Sequence, residues 1–102
     1  MKVNGYEIGN GAQLISADLQ AATLTGVDLT FANLVDANLF TADLAGATLN
    51  SAILVRADLS GADLSGADLT HANLVDAIAD ELTRWPEGFD PVPAGVTIRP
   101  GA

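Results

Sequence analysis

The chain of 102 residues contains no cysteine. Disulfides therefore cannot staple it, and a thiolate metal cage is excluded. Positive charge is scarce: Lys2, Arg56, Arg84 and Arg99 stand against 13 acidic residues, for a formal net charge of −9. A basic footprint for phosphate is missing, so no direct nucleic-acid contact is expected. An anionic membrane surface would repel the chain, whereas basic partners, DNA-binding clefts included, would attract it. Aromatic residues make up only 5% of the chain although 49% is hydrophobic, most of that Ala and Leu. No apolar run approaches the roughly 20 residues that span a bilayer. Met1-Lys2-Val3-Asn4-Gly5 lacks the apolar stretch of a signal peptide, so the cytoplasm is the expected compartment. The length suits one small domain.

What the chain has is a repeat. Leu stands at 14, 19, 24, 29, 34, 39, 44, 49, 54, 59, 64, 69 and 74, a strict spacing of five. Two residues before each Leu is a small apolar residue, Ala everywhere except Val27. Between the two sits mostly Asp, Asn or Thr, as in Asp18, Asp28, Asn33, Asn38, Asp43, Asp58, Asp63, Asp68 and Asn73. A period of five suits neither regular element. On an α-helix each step of five turns a net angle of about 140°, so the Leu side chains would point all round. On a flat strand every second Leu would be wet. That would forfeit roughly 1.5–3 kcal/mol for each exposed Leu. A chain that turns a corner every five residues sends all of Leu14, Leu19, Leu24, Leu29, Leu34, Leu39, Leu44, Leu49, Leu54, Leu59, Leu64, Leu69 and Leu74 inward. The Ala two places earlier then also points in, and the residue between them points out.

A second period counts the corners. Gly recurs at 26, 46 and 66, and a β-branched residue recurs at Ile15, Val35, Val55 and Val75. Both are spaced by twenty, four pentapeptides, so the coil is square. Stacked coils would rise about 4.8 Å each. The repeats then make about three coils and a rod of about 16 Å, held by nearest-neighbour stacking and in need of capped ends.

Segments such as Ala57-Asp58-Leu59-Ser60-Gly61, Ala62-Asp63-Leu64-Ser65-Gly66 and Ala67-Asp68-Leu69-Thr70-His71 fit the motif A-(D/N)-L-x-x. On these residues the chain resembles the pentapeptide-repeat family over roughly residues 12 to 78. The resemblance implies an all-β fold, a right-handed quadrilateral parallel β-helix. It implies no single function. Departures are mild: Val27 for Ala, and Gln13, Thr23, Thr48 and Ile53 for Asp or Asn.

The expected organisation is an N-terminal cap with an opening strand over 1–11, the β-helix over 12–78, and a C-terminal cap and tail over 79–102. Tyr6-Glu7-Ile8 reads as the opening strand. Residues 79–84 read as one short helical turn stopped by Pro86. Beyond it Trp85 and Phe89 are the largest apolar side chains of the tail. They are expected to fold back as a lid over the open last coil, the alternative being an end-to-end dimer contact. Val96-Thr97-Ile98 either adds an edge strand or stays unordered.

The most informative surface feature is the column Ile15, Val35, Val55 and Val75, with Phe31 beside it. Exposed apolar patches mark interaction sites. A homodimer or protein-partner contact is one reading, and β-branched packing between stacked coils is the other. The same side lacks Asp before Leu, having Gln13, Asn33, Ile53 and Asn73, while the other three carry the acid. In the quinolone-resistance members of the family the acidic helix resembles B-DNA and binds gyrase. This chain shares the negative charge but has no long C-terminal helix and no loop insertion, so a DNA-mimicking regulator is the alternative reading. A gyrase supercoiling assay tests it.

No catalytic site, metal or cofactor is expected. Asp43 and Asp63 should stack about 5 Å apart, near the carboxylate spacing of retaining glycosidases. Both would sit on a flat solvated side, with no cleft to raise one pKa. His71 is the only His and has no second imidazole for a metal. The sequence thus reads as a soluble, non-catalytic scaffold for protein binding.

Overall fold

The computed structural model describes residues 1–100. Each pentapeptide lays down one short side of a square. On the first side Leu14 N–H donates to Asn33 C=O of the next coil (2.8 Å), and Asn33 N–H donates back to Ala12 C=O (2.9 Å). Ser16 N–H closes the pattern on Val35 C=O at 2.8 Å. Bridges of this parallel kind stack residues twenty apart into four faces. Face one holds Gln13, Asn33, Ile53 and Asn73, and face two Asp18, Asn38, Asp58 and Ile78. Face three holds Thr23, Asp43, Asp63 and Arg84, and face four Asp28, Thr48 and Asp68. The result is a right-handed quadrilateral β-helix with no α-helix among the described residues.

The corners explain the period. Ala17 N–H returns to Leu14 C=O (3.1 Å) across Ile15 and Ser16, and Ser16 has φ 57°. A positive φ at the third residue is the signature of a type II turn. Every corner from Gly11 to Asp76 shares it, yet only Gly11, Gly26, Gly46, Gly61 and Gly66 are Gly. The remaining corners hold side chains in the left-handed region, which non-Gly residues visit at a cost.

Asp and Asn between the inward residues do more than face water. Asp28, Asn33, Asn38, Asp43, Asp58, Asp63, Asp68 and Asn73 each accept the corner N–H two residues on, at 2.9–3.2 Å. This Asx geometry supplies a partner that the neighbouring coil does not. The hydroxyls and amides of Thr30, Ser65 and Thr70 hold the carboxyls of Asp28, Asp63 and Asp68 below their usual range. A depressed folded pKa stabilises above the unfolded value and stops doing so as pH falls through the folded one. Thermal melts taken from neutral pH downward should therefore lose stability below about pH 4, where unfolded Asp begins to protonate.

The core is the Leu ladder with its Ala partners. From Leu14 to Leu64 each Leu is fully buried, as is Leu74, and Leu69 at the C-terminal end is 9% exposed. The ends are closed differently. Strands β1 (Lys2–Val3) and β2 (Tyr6–Glu7) form an antiparallel hairpin. Its Asn4-Gly5 turn has φ of 52° and 85°, the two positive angles of a type I′ turn. Ile8 behind it is buried, and Tyr6 Oη accepts Asp18 N–H at 3.2 Å.

At the other end the expected helical turn over 79–84 does not form, and the rungs run past residue 78. Ala77-Ile78-Ala79 keeps the pentapeptide register with Ala79, fully buried, in the place of Leu. Stacking on Asp58 thus overrides the local helix signal, and β3 (Ile78–Asp80) forms. Then one residue is added: Asp63 stacks on Arg84, 21 positions on. Strand β4 (Thr97–Arg99) pairs parallel with β3, so the edge-strand alternative for this segment is the one observed.

Candidate functional site: the face without a central carboxylate

Face one differs from the other three because its outward row, Gln13, Asn33, Ile53 and Asn73, carries no charge. One corner of this face carries the column Ile15, Val35, Val55 and Val75. Ile15 and Val75 are 57% and 49% exposed, while Val35 and Val55 are half-buried between them. Cross-coil stacking thus covers the middle of the column and leaves its ends open. Gly95 continues the column beyond Val75. A Cβ there would lie 3.1 Å from Val75 Cα, and φ is +96°, so only Gly fits.

Phe31 occupies the opposite corner of the face. It is 64% exposed and holds φ 61°. A bulky residue in the left-handed region is an outlier costing about 1–3 kcal/mol. Exposed as it is, Phe31 recovers little of this through burial. Replacing Phe31 by Gly should therefore raise stability by about 1 kcal/mol, a few degrees in melting temperature, after allowing for the greater entropy of unfolded Gly. Scanning calorimetry checks this.

Ile53 completes the patch. It sits in the centre of the face, 38% exposed. In the sequence Ile53 reads only as a mild departure from Asp, and the repeat register that points it outward is the signal that joins it to the column. Phe40 and Leu82 are also exposed but lie away from face one.

The apolar column is a corner, and the face beyond it is charged. The next column is Ser16, Asp36, Arg56 and Asp76. Arg56 Nε and an Nη donate to both oxygens of Asp36, at 2.9 and 3.1 Å. The bidentate bond from Arg56 holds the Asp36 carboxyl below its usual range. The bond to Asp36, with the charge of Asp76 behind it, raises the Arg56 guanidinium. The expectation of three acidic sides and one apolar side is therefore corrected: this fourth side is neutral at its centre, apolar along one corner with Phe31 alone at the other, and ionic along one flank. The pairing was hidden because Asp36 and Arg56 lie twenty residues apart.

Trp85 and Phe89 stack on one another, ring centroids 5.4 Å apart, and pack half-buried against the C-terminal end of the core. The added residue explains their place. With Arg84 over Asp63, Thr83 takes the inward Ala position and Trp85 the inward Leu position. On the acidic faces, Asp43 and Asp63 bridge as neighbours. The Asp63 carboxyl is held low, first by the Ser65 hydroxyl and amide, the opposite of what a general acid requires. Among the described residues no group of three or more His, Asp or Glu is placed to hold a metal. None contains a helix long and apolar enough to cross a membrane.

A square parallel solenoid with one Leu and one small residue inside each side makes this a β-helix protein. Its repeat carries the identity further: the profile described as pentapeptide repeats matches residues 10–44 and 42–78, in eight copies. The chain belongs to the pentapeptide-repeat family. It is similar to a pentapeptide repeat protein of Nostoc Pcc 7120, at 38% identity over 88% of this chain and 83% of that one, with a TM-score of 0.51. It is also similar to one of the cyanobacterium Cyanothece 51142, at 36% identity over 74% of this chain and 48% of that one, TM-score 0.42. A third, from the Arabidopsis thaliana thylakoid lumen, is 34% identical over 72% of this chain and 59% of that one, TM-score 0.45. No curated protein matches the chain.

Proposed function

We propose that this chain is a rigid, non-catalytic scaffold that docks a protein surface on face one. The observation that carries this is Phe31, an exposed aromatic at one corner of the face whose other corner bears Ile15, Val35, Val55 and Val75, with Ile53 between them. Every other non-Gly corner of the repeats holds a small or polar side chain, so an exposed aromatic there points to a use outside the fold. The absence of central carboxylates supports the same face, since an uncharged centre with a polar rim is how docking patches are built. On this reading the chain works in the cytoplasm, which fractionation of the source cell checks.

The test is the double substitution Val35→Asp with Val55→Asp. Both side chains point outward, so the cooperative thermal transition should survive. Light scattering on a sizing column establishes whether the docked surface belongs to a second copy. A pull-down from the source cell then compares wild type with the double variant. Docking on face one predicts loss of the dimer mass or of the captured protein. An unchanged mass together with an unchanged capture pattern would sink the proposal.

A further inference from the structure

Face four, like face one above Asn73, lacks the last rung that faces two and three possess. Face two ends under Thr97, and face three ends under Arg84. On face four the outermost rung is that of Asp68, and no described residue bridges it from the C-terminal side. Three backbone groups consequently have no protein partner among the described residues: Ala67 C=O, Leu69 N–H and His71 N–H. One coil below, the equivalent groups are all used. Ala47 C=O accepts Asp68 N–H (2.9 Å), Leu49 N–H donates to Asp68 C=O (2.8 Å) and Ser51 N–H to Thr70 C=O (2.9 Å). Leu69 is almost buried, where an unpaired amide is disfavoured.

An open groove of about 350 Å³ lies along this edge, closed on its far side by Pro86, Gly88 and Phe89. That volume is at the low end of those that hold ligands, enough for a few residues of extended chain. The only charged residues lining it are Asp68 and Glu87, both acidic.

We propose that this groove takes an extended basic peptide of a partner protein as the missing parallel rung, with Lys or Arg above Asp68. The register follows from the coils below. The basic residue's N–H would donate to Ala67 C=O and its C=O would accept Leu69 N–H. The carbonyl two residues on would accept His71 N–H. Main-chain bonds of this type supply affinity, and the outward side chain supplies selectivity. Face three shows the arrangement within the same molecule. There Arg84 N–H donates to Ala62 C=O (2.9 Å), Leu64 N–H donates to Arg84 C=O (2.8 Å), and a basic residue thus takes the rung next to Asp63. The proposal is independent of docking on face one.

The probe is a fluorescein-labelled peptide, Gly-Gly-Ala-Arg-Leu-Ser-Gly, titrated with the full chain and followed by anisotropy. Saturable binding is expected. Asp68→Asn keeps the Asx bond, as Asn33 and Asn73 do, and removes the charge. It should weaken binding about threefold, the scale of an exposed ion pair. Methylating the peptide's Arg amide should weaken it about tenfold, the scale of one lost hydrogen bond. A peptide with Glu for Arg should bind weakest. In amide NMR spectra Leu69 and His71 should shift while Val35 and Val55 stay in place. The proposal is overturned by no saturable binding up to millimolar peptide, by equal binding of the Arg and Glu peptides, or by shifts confined to face one.

Discussion

Leu44→Ala should lower stability by about 3–4 kcal/mol and the melting temperature by roughly 15–20 °C. Leu44 is fully buried in the middle of the solenoid. Truncation removes its transfer free energy and leaves a cavity. The cavity cannot collapse easily, because the coils on both sides are pinned. Leu24 N–H holds Asp43 C=O at 2.7 Å and Leu44 N–H holds Asp63 C=O at 2.7 Å. Stability in a solenoid is close to a sum over neighbouring contacts, and a central Leu contributes to two of them. Leu69→Ala, at the C-terminal end where no further rung covers face four, should cost about half as much. The opposite error is also penalised: Ala47→Leu forces extra volume against a crowded axis, at about 1–3 kcal/mol. Denaturant unfolding of the three variants checks the order. A cost below about 1 kcal/mol for Leu44→Ala would contradict the stacked-core account.

Thr83→Val should cost about 2 kcal/mol, concentrated at the C-terminal end. Thr83 is the one buried polar residue among those described, at 8% exposure. Its hydroxyl donates to Leu59 C=O (2.8 Å) and accepts Asp80 N–H (3.1 Å). Asp80 in turn accepts Gly61 N–H and Leu82 N–H, each at 3.0 Å. Burial works against the Asp80 carboxylate, and the amides of Gly61 and Leu82 with the Thr83 hydroxyl outweigh it, so its pKa is lowered. This network holds the extra residue between Asp63 and Arg84. Valine fits the same space but strands the Asp80 amide. Hydrogen exchange should show the amides of 78–84 opening faster while those of the middle coils keep their protection. Uniform protection throughout would show that the added residue is held by packing alone.

The repeat was legible because the inward positions are restrictive. Leu at every fifth place leaves one geometry that buries them all, and the spacing of Gly26, Gly46 and Gly66 sets four sides. What lay beyond was local and unrepeated. The single added residue before Arg84 shifts Thr83 and Trp85 into the Ala and Leu positions, and no periodicity survives one insertion to reveal it. The Asx bonds were hidden because exposure alone is enough to explain Asp at an outward place. The left-handed corners were legible only where Gly stood, since Ser16, Thr41 or Phe31 carries no local sign of a positive φ. For the candidate site, the column of Ile15, Val35, Val55 and Val75 was visible from spacing. Its ionic flank was not, because Arg56 and Asp36 meet only after a full circuit of the coil.

The added residue has one more consequence. A regular coil of twenty is a phase, and any segment with the same phase can extend the stack indefinitely. From Asp58 to Ile78 the count is 20, from Asp63 to Arg84 it is 21, and from Ile78 to Thr97 it is 19. Successive faces at the C-terminal end are thus out of step with each other. The slipped count thus marks where the sequence leaves the repeat, while the rung itself persists: Arg84 N–H still meets Ala62 C=O at 2.9 Å and its C=O still takes Leu64 N–H at 2.8 Å.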